Sequence, residues 1–179
     1  MQKVYLVHGY LANQKSHWFE WLGKKISEKG YDLEIISLSD SDNPKYEKWN
    51  HDISKSIDSN KDEIIIIAHS LGCISTLDYL SKKNKKIKKL ILVSGFYEKI
   101  NVLPVLDEFI ENCEIKFDLI QSFTKEIDIF VSSNDALVPP KLSYDLACRL
   151  NANIYNVKNA GHFLDSDGYT EFNEILDLF

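Results

Sequence analysis

Short apolar runs alternate along this chain with longer stretches that carry a helical period. Val4-Tyr5-Leu6-Val7-His8 is one such run, closed by Gly9. Between Ser16 and Lys29, Trp18, Phe19, Trp21, Leu22 and Ile26 gather on one side of a predicted helix, with Gly30 as its C-cap. Leu33 to Leu38 reads as a strand, Ser39 to Pro44 as a polar loop, and Tyr46 to Ile57 as a helix. The isoleucines Ile64 to Ile67 are β-branched, bounded by charge, and too few for a helix. Such a run reads as a strand buried on both faces. Helical spacing resumes at Leu71 and continues through Ile74, Leu77 and Leu80. Further strands are predicted at Lys89 to Val93, Ile127 to Val131 and Asn153 to Val157, and further helices at Lys141 to Leu150 and Tyr169 to Phe179. Repeated βα units of this kind imply an α/β fold, a parallel sheet with helices on both faces.

Composition narrows the class without naming a function. The chain has 179 residues, 44% hydrophobic and 27% charged, enough for one sizeable core. The whole of 1–179 reads as one domain, with a short cap segment at about 95–126 that holds small helices near Pro104 to Ile110 and Phe117 to Phe123. A formal net charge of -6 argues against a nucleic-acid partner and against an anionic membrane surface. The basic run from Lys82 to Lys89 falls at a predicted helix end, where lysines complement the dipole and face water. Cys73, Cys113 and Cys148 have no metal-ligand spacing and suit a reducing compartment; no metal or cofactor is expected. A strand begins almost at the first residue and no apolar run could span a bilayer. The expected location is the cytoplasm.

Parallel sheets of this type hold ligands beyond the carboxyl ends of their strands. At those ends stand His8-Gly9-Tyr10, then Ser70, then Ser94-Gly95-Phe96. Asn134-Asp135 follows, and finally Gly161-His162-Phe163. Ser70 sits at a strand-to-helix corner between the small residues Ala68 and Gly72, the pattern of a nucleophile elbow with alanine at one of its two glycine positions. Ser70, Asp135 and His162 thus fall on three strand-end loops in the order of an α/β-hydrolase triad. Asp128 and Asp165 compete for the third role, but Asp128 lies inside a strand and Asp165 belongs to the histidine's own loop. His8 has a supporting or structural place, His17 belongs to an aromatic core helix, His69 is committed beside the elbow, and His51 lies on a polar helix side.

These motifs together resemble the YdeN-like serine hydrolases, a small α/β-hydrolase family that also includes retinoblastoma-binding protein nine. The resemblance runs through His8-Gly9-Tyr10, His17-Trp18-Phe19, Ala68-His69-Ser70-Leu71-Gly72-Cys73, Leu92-Val93-Ser94-Gly95-Phe96, Leu106-Asp107-Glu108-Phe109, Asn134-Asp135 and Gly161-His162-Phe163-Leu164. It is nearest the bacterial branch. It implies about six parallel strands, a Ser70–His162–Asp135 triad, and hydrolysis of small carboxylic esters or related acyl compounds. Backbone N–H groups of Tyr10 and Leu71 would form the oxyanion hole. A pocket lined by Tyr10, Phe96 and Phe163 would take a small-molecule acyl substrate. The other reading is a non-catalytic binding module on a hydrolase scaffold. No retinoblastoma-type partner is expected, because Leu71-Gly72-Cys73-Ile74-Ser75 lacks the glutamate of the L-x-C-x-E motif and lies in the elbow.

Overall fold

In the computed structural model, which describes residues 1–57, 63–83 and 85–179, six parallel strands form one sheet in the order β2-β1-β3-β4-β5-β6. The strands are β1 (Gln2–Val7), β2 (Tyr31–Ile35), β3 (Ile65–His69), β4 (Ile87–Val93), β5 (Thr124–Ser132) and β6 (Asn153–Val157). The chain steps from β1 outward to β2, then returns past β1 to β3. Strand order therefore reverses between β1 and β3, the place where open α/β sheets leave a crevice for ligands.

Side-chain alternation divides the core in two. Val4 and Leu6, Ile65 and Ile67, Ile91 and Val93, and Phe130 face one side of the sheet. They meet Phe19, Leu22 and Ile26 of α1 (Phe19–Ser27), together with Phe172 and Ile175. Tyr5 and Val7, Ile66 and Ala68, Leu90 and Leu92, and Ile129 and Val131 face the other. There they pack under α2 (Tyr46–Ser56), α3 (Leu71–Lys83) and α6 (Pro140–Leu150). The isoleucine run feeds both cores at once, which explains why it is apolar at every position.

Several sequence expectations change; β2, for one, covers Tyr31–Ile35 rather than Leu33 to Leu38. The first helix begins at Phe19 rather than Ser16, because His17 holds a left-handed backbone (φ 55°) that no α-helix admits. No α-helix covers Tyr169 to Phe179; a 3₁₀ segment, Asn173–Leu178, stands there. Buried Phe172 and Ile175 are three apart, and a three-residue turn keeps both on the sheet. Lys89, at the end of the basic run, is not a solvated charge. It is buried, donates to the Leu178 carbonyl at 2.9 Å and pairs with Glu126 at 3.3 Å. Asn84 of that run lies outside the described residues.

Between β4 and β5 the chain makes a 3₁₀ turn (Pro104–Leu106) and the short helices α4 (Asp107–Glu111) and α5 (Phe117–Phe123). Buried Asp78 on α3 fastens this excursion: Oδ1 accepts the Glu114 N–H at 2.7 Å, and Oδ2 accepts from Asn50 at 2.8 Å and Lys82 at 2.9 Å. Ser81 Oγ accepts the Lys116 N–H at 2.8 Å. Earlier in the segment, Leu103 stands at the sheet's carboxyl end.

Candidate active site

Ser70 stands between β3 and α3 with φ 56°, a left-handed backbone that a serine adopts only when its surroundings impose it. Its N–H donates to the Val93 carbonyl at 3.0 Å, and its carbonyl accepts the Cys73 N–H at 2.9 Å, starting the helix. A Cβ at Gly72 would collide with the carbonyl oxygens of Val7 and His8. The helix therefore starts against the end of β1, and only glycine allows that approach. The N–H groups of Tyr10 and Leu71 have no backbone acceptor among the described residues.

Asp135 is buried on the loop after β5, with four donors on its carboxylate. Oδ1 accepts the N–H groups of Leu137 and Val138, each at 2.9 Å. Oδ2 accepts from Ser94 Oγ at 2.7 Å and lies 2.8 Å from His162 Nδ1. An ionised carboxylate only accepts, so Nδ1 carries the ring proton and Nε2 keeps a lone pair. The loop of His162 is itself pinned. The Gly161 N–H donates to Asn134 Oδ1 at 2.9 Å, and the His162 N–H donates to Asp167 Oδ2 at 2.7 Å. Gly161 has φ 56° and its α-carbon abuts the Asp167 carboxylate, leaving no space for a side chain.

Ser70 and His162 share a cavity of about 220 Å³ at the reversal between β1 and β3. Tyr10, Leu11, Leu103, Leu137 and Leu164 line it, and His17 and His69 also reach it. Two expected pocket residues do not. Phe96 is buried in the core beneath α3 and α6, and Phe163 in the opposite core against Tyr169 and Phe172. Phe163 has φ 57°, which turns its ring back under the sheet, and its carbonyl accepts the Trp18 indole N–H at 3.2 Å. Tyr10 alone of the three expected residues lines the cavity.

Three histidines besides His162 surround the site. His69 Nε2 lies 2.8 Å from the His162 carbonyl, and its ring is 5.0 Å from the His162 ring. Burial holds its pKa well below the ordinary value, with the nearby His162 acting in the same direction. Burial also lowers His17, opposed by the Asp165 carboxylate, and lowers His8, opposed by its contact with the Gly9 carbonyl. His51 is exposed on α2, away from the cavity. Asp165 turns to His17: its N–H donates to His17 Nδ1 at 3.1 Å. Asp128 is buried at the far side of the sheet, accepting from Asn153 at 2.9 Å, and burial raises its pKa. His17 as a cavity residue, Ser94 as a partner of Asp135 and Asp167 as a clamp on the His162 loop were not foreseen as site residues. Only Ser94 carried a sequence signal, its place at a strand end.

The serine hydrolase family model matches residues 4–179. YdeN of Bacillus subtilis (strain 168) is 33% identical over 179 residues, covering 99% of this chain and 94% of that protein. Its crystal structure superposes with a TM-score of 0.91, covering 99% of this chain and 96% of that one. Serine hydrolase RBBP9 of Rattus norvegicus is 24% identical over 160 residues, covering 89% of this chain and 82% of that protein. Among the described residues, no helix is long and apolar enough to cross a membrane. By its sequence along nearly its whole length, and by the sheet and elbow that sequence builds, the chain belongs to the serine hydrolase family.

Proposed function

We propose that this hydrolase cleaves small carboxylic esters or related acyl compounds through Ser70, His162 and Asp135, by way of an acyl-enzyme. The observation that carries the reading is the 2.8 Å contact of His162 Nδ1 with Asp135 Oδ2, made beside a cavity that Ser70 also lines. A serine hydroxyl is a weak nucleophile until a base takes its proton. His162, with Nδ1–H held by Asp135, presents the lone pair of Nε2 for that purpose. As Ser70 Oγ bonds to the acyl carbon, its proton passes to Nε2 and the carbonyl becomes an oxyanion. The N–H groups of Tyr10 and Leu71 stabilise that charge. Collapse breaks the bond to the leaving group, which departs with the proton from Nε2. Water then repeats the sequence on the acyl-enzyme and releases the acid.

The size and lining of the cavity support a small, largely apolar substrate. Its volume of about 220 Å³ lies below the roughly 300–1,000 Å³ usual for drug-sized ligands. The segment between β4 and β5 acts as a cap by contributing Leu103 to the wall.

A fluorophosphonate probe tests the reading directly. The folded protein is expected to gain one adduct on Ser70, and Ser70→Ala to gain none. A folded protein that takes no label would instead favour a binding module on this scaffold.

A further inference from the structure

His17 lines the cavity with one ring nitrogen that neither the hydrolytic steps nor any hydrogen bond among the described residues employs. Its backbone is left-handed, φ 55°, in a residue with a bulky side chain. Such strain persists only where neighbouring structure imposes it, and it clusters at functional sites. The ring is almost wholly enclosed, with 12% of its side chain exposed, and it lines the same cavity as Ser70 and His162. The Asp165 N–H donates to Nδ1 at 3.1 Å. A backbone amide can only donate, so Nδ1 holds the lone pair and the proton of the neutral ring sits on Nε2. Nε2–H has no hydrogen-bond partner among the described residues.

The other polar groups in the wall differ. His69 is already engaged with the His162 carbonyl through Nε2, and its Nδ1 is sealed from the cavity. The hydroxyl of Tyr10 can rotate to donate or accept, so it does not discriminate. His17 therefore offers a fixed donor in a wall to which Leu11, Leu103, Leu137 and Leu164 contribute apolar surface. Leaving a donor unmatched in such a place costs free energy, whereas a matching acceptor recovers it.

We propose that His17 is a specificity-determining residue, whose Nε2–H holds an oxygen acceptor placed within the otherwise apolar chain of the ester substrate. This rests on the hydrolase reading and adds a substrate class to it: acyl or alkyl chains interrupted by an ether, carbonyl or hydroxyl oxygen. Asp165 is the positioning residue that keeps the donor edge turned to the substrate.

Two isosteric pairs of esters test the proposal. On the acyl side, p-nitrophenyl methoxyacetate is compared with p-nitrophenyl butanoate. On the alcohol side, 2-methoxyethyl acetate is compared with butyl acetate. Each kcat/KM is divided by the hydroxide-catalysed rate of the same ester, which removes intrinsic reactivity. The wild-type protein is expected to favour the ether in one pair by about 3- to 10-fold, the range of one net hydrogen bond. In His17→Phe that ratio falls to about one, and in His17→Gln, which keeps an N–H donor, part of it returns. Ratios near one in both wild-type pairs overturn the proposal, whether or not either variant folds. So does an unchanged ratio in folded His17→Phe. Failure of the hydrolase reading is distinct: no fluorophosphonate label forms and none of the esters turns over, which overturns both.

Discussion

Two aspartate–histidine pairs serve one cavity, and they differ in which atoms meet. In the inner pair, His162 Nδ1 faces a carboxylate oxygen of Asp135 at 2.8 Å, and both side chains are nearly sealed, 6% and 2% exposed. In the outer pair, His17 Nδ1 faces the backbone N–H of Asp165 at 3.1 Å. The Asp165 carboxylate stands further off, at 3.4 Å, and is 58% exposed. The first contact makes Nδ1 a donor, so Nε2 keeps its lone pair. The second makes Nδ1 an acceptor, so Nε2 is left as a donor. Residue identity is the same in both pairs; the backbone decides the chemistry. Asp135 is turned inward by the N–H groups of Leu137 and Val138, while Asp165 opens a 3₁₀ turn whose first amide stands nearer the ring than its side chain does.

The largest effect should come from removing the group that the proposed mechanism has the inner pair activate. Ser70→Ala is expected to lower kcat on an activated ester by roughly 10⁴–10⁶ while far-UV dichroism stays unchanged. A loss under about tenfold would point to another nucleophile.

Loosening the inner pair without breaking it should cost less. Ser94→Ala removes one of four donors to the Asp135 carboxylate and leaves the His162 contact in place. One hydrogen bond to a charged acceptor is worth roughly 1.5–3 kcal/mol. Part of that is recovered when the remaining donors adjust, so a loss of about tenfold in kcat/KM is expected. No change at all would mean that Ser94 does not hold the carboxylate in solution.

The smallest effect concerns stability and reads the rings outside the inner pair. Burial lowers the pKa values of His8, His17 and His69 below the ordinary 6.5. Above about pH 6.5 these rings are neutral in folded and unfolded chains alike, and their contribution is fully present. As pH falls below that, the unfolded chain takes up protons first, so stability drops towards the folded pKa values. Each ring adds a slope of up to about 1.4 kcal/mol per pH unit. Melting temperatures between pH 7.5 and 5.5 should therefore decline, and less steeply in His17→Phe. A flat profile would mean that these rings accept protons in the folded protein as readily as in the unfolded one.

What could be read from the chain follows the same division. Each of Ser70, Asp135 and His162 lies on a loop directly after a strand, and parallel βα units bring such loops to one edge whatever their detailed shape. The unbroken apolar run Ile64 to Ile67 likewise placed a buried strand, which the structure holds at Ile65–His69. Side-chain direction was not legible. Phe96 follows the end of β4 as closely as Tyr10 follows the end of β1, and Phe163 lies further past the end of β6, yet both phenylalanines turn into the core, Phe163 through a left-handed backbone that nothing in its neighbours announces. His17 was hidden in a helical pattern that its own φ interrupts two residues before the helix begins. The Asp167 clamp on the His162 loop depends on a 3₁₀ turn, and it left no periodic trace.

The central claim is that Asp135, not Asp165, orients the base. Asp135→Asn and Asp165→Asn, each assayed for kcat on one activated ester at one pH, test it most directly. The account predicts a loss on the order of 10⁴ for Asp135→Asn, the size expected when a catalytic histidine is held in the wrong tautomer. It predicts less than about tenfold for Asp165→Asn, whose backbone amide still reaches His17 and whose exposed carboxylate is screened by solvent. A crippled Asp165→Asn beside an active Asp135→Asn would contradict it.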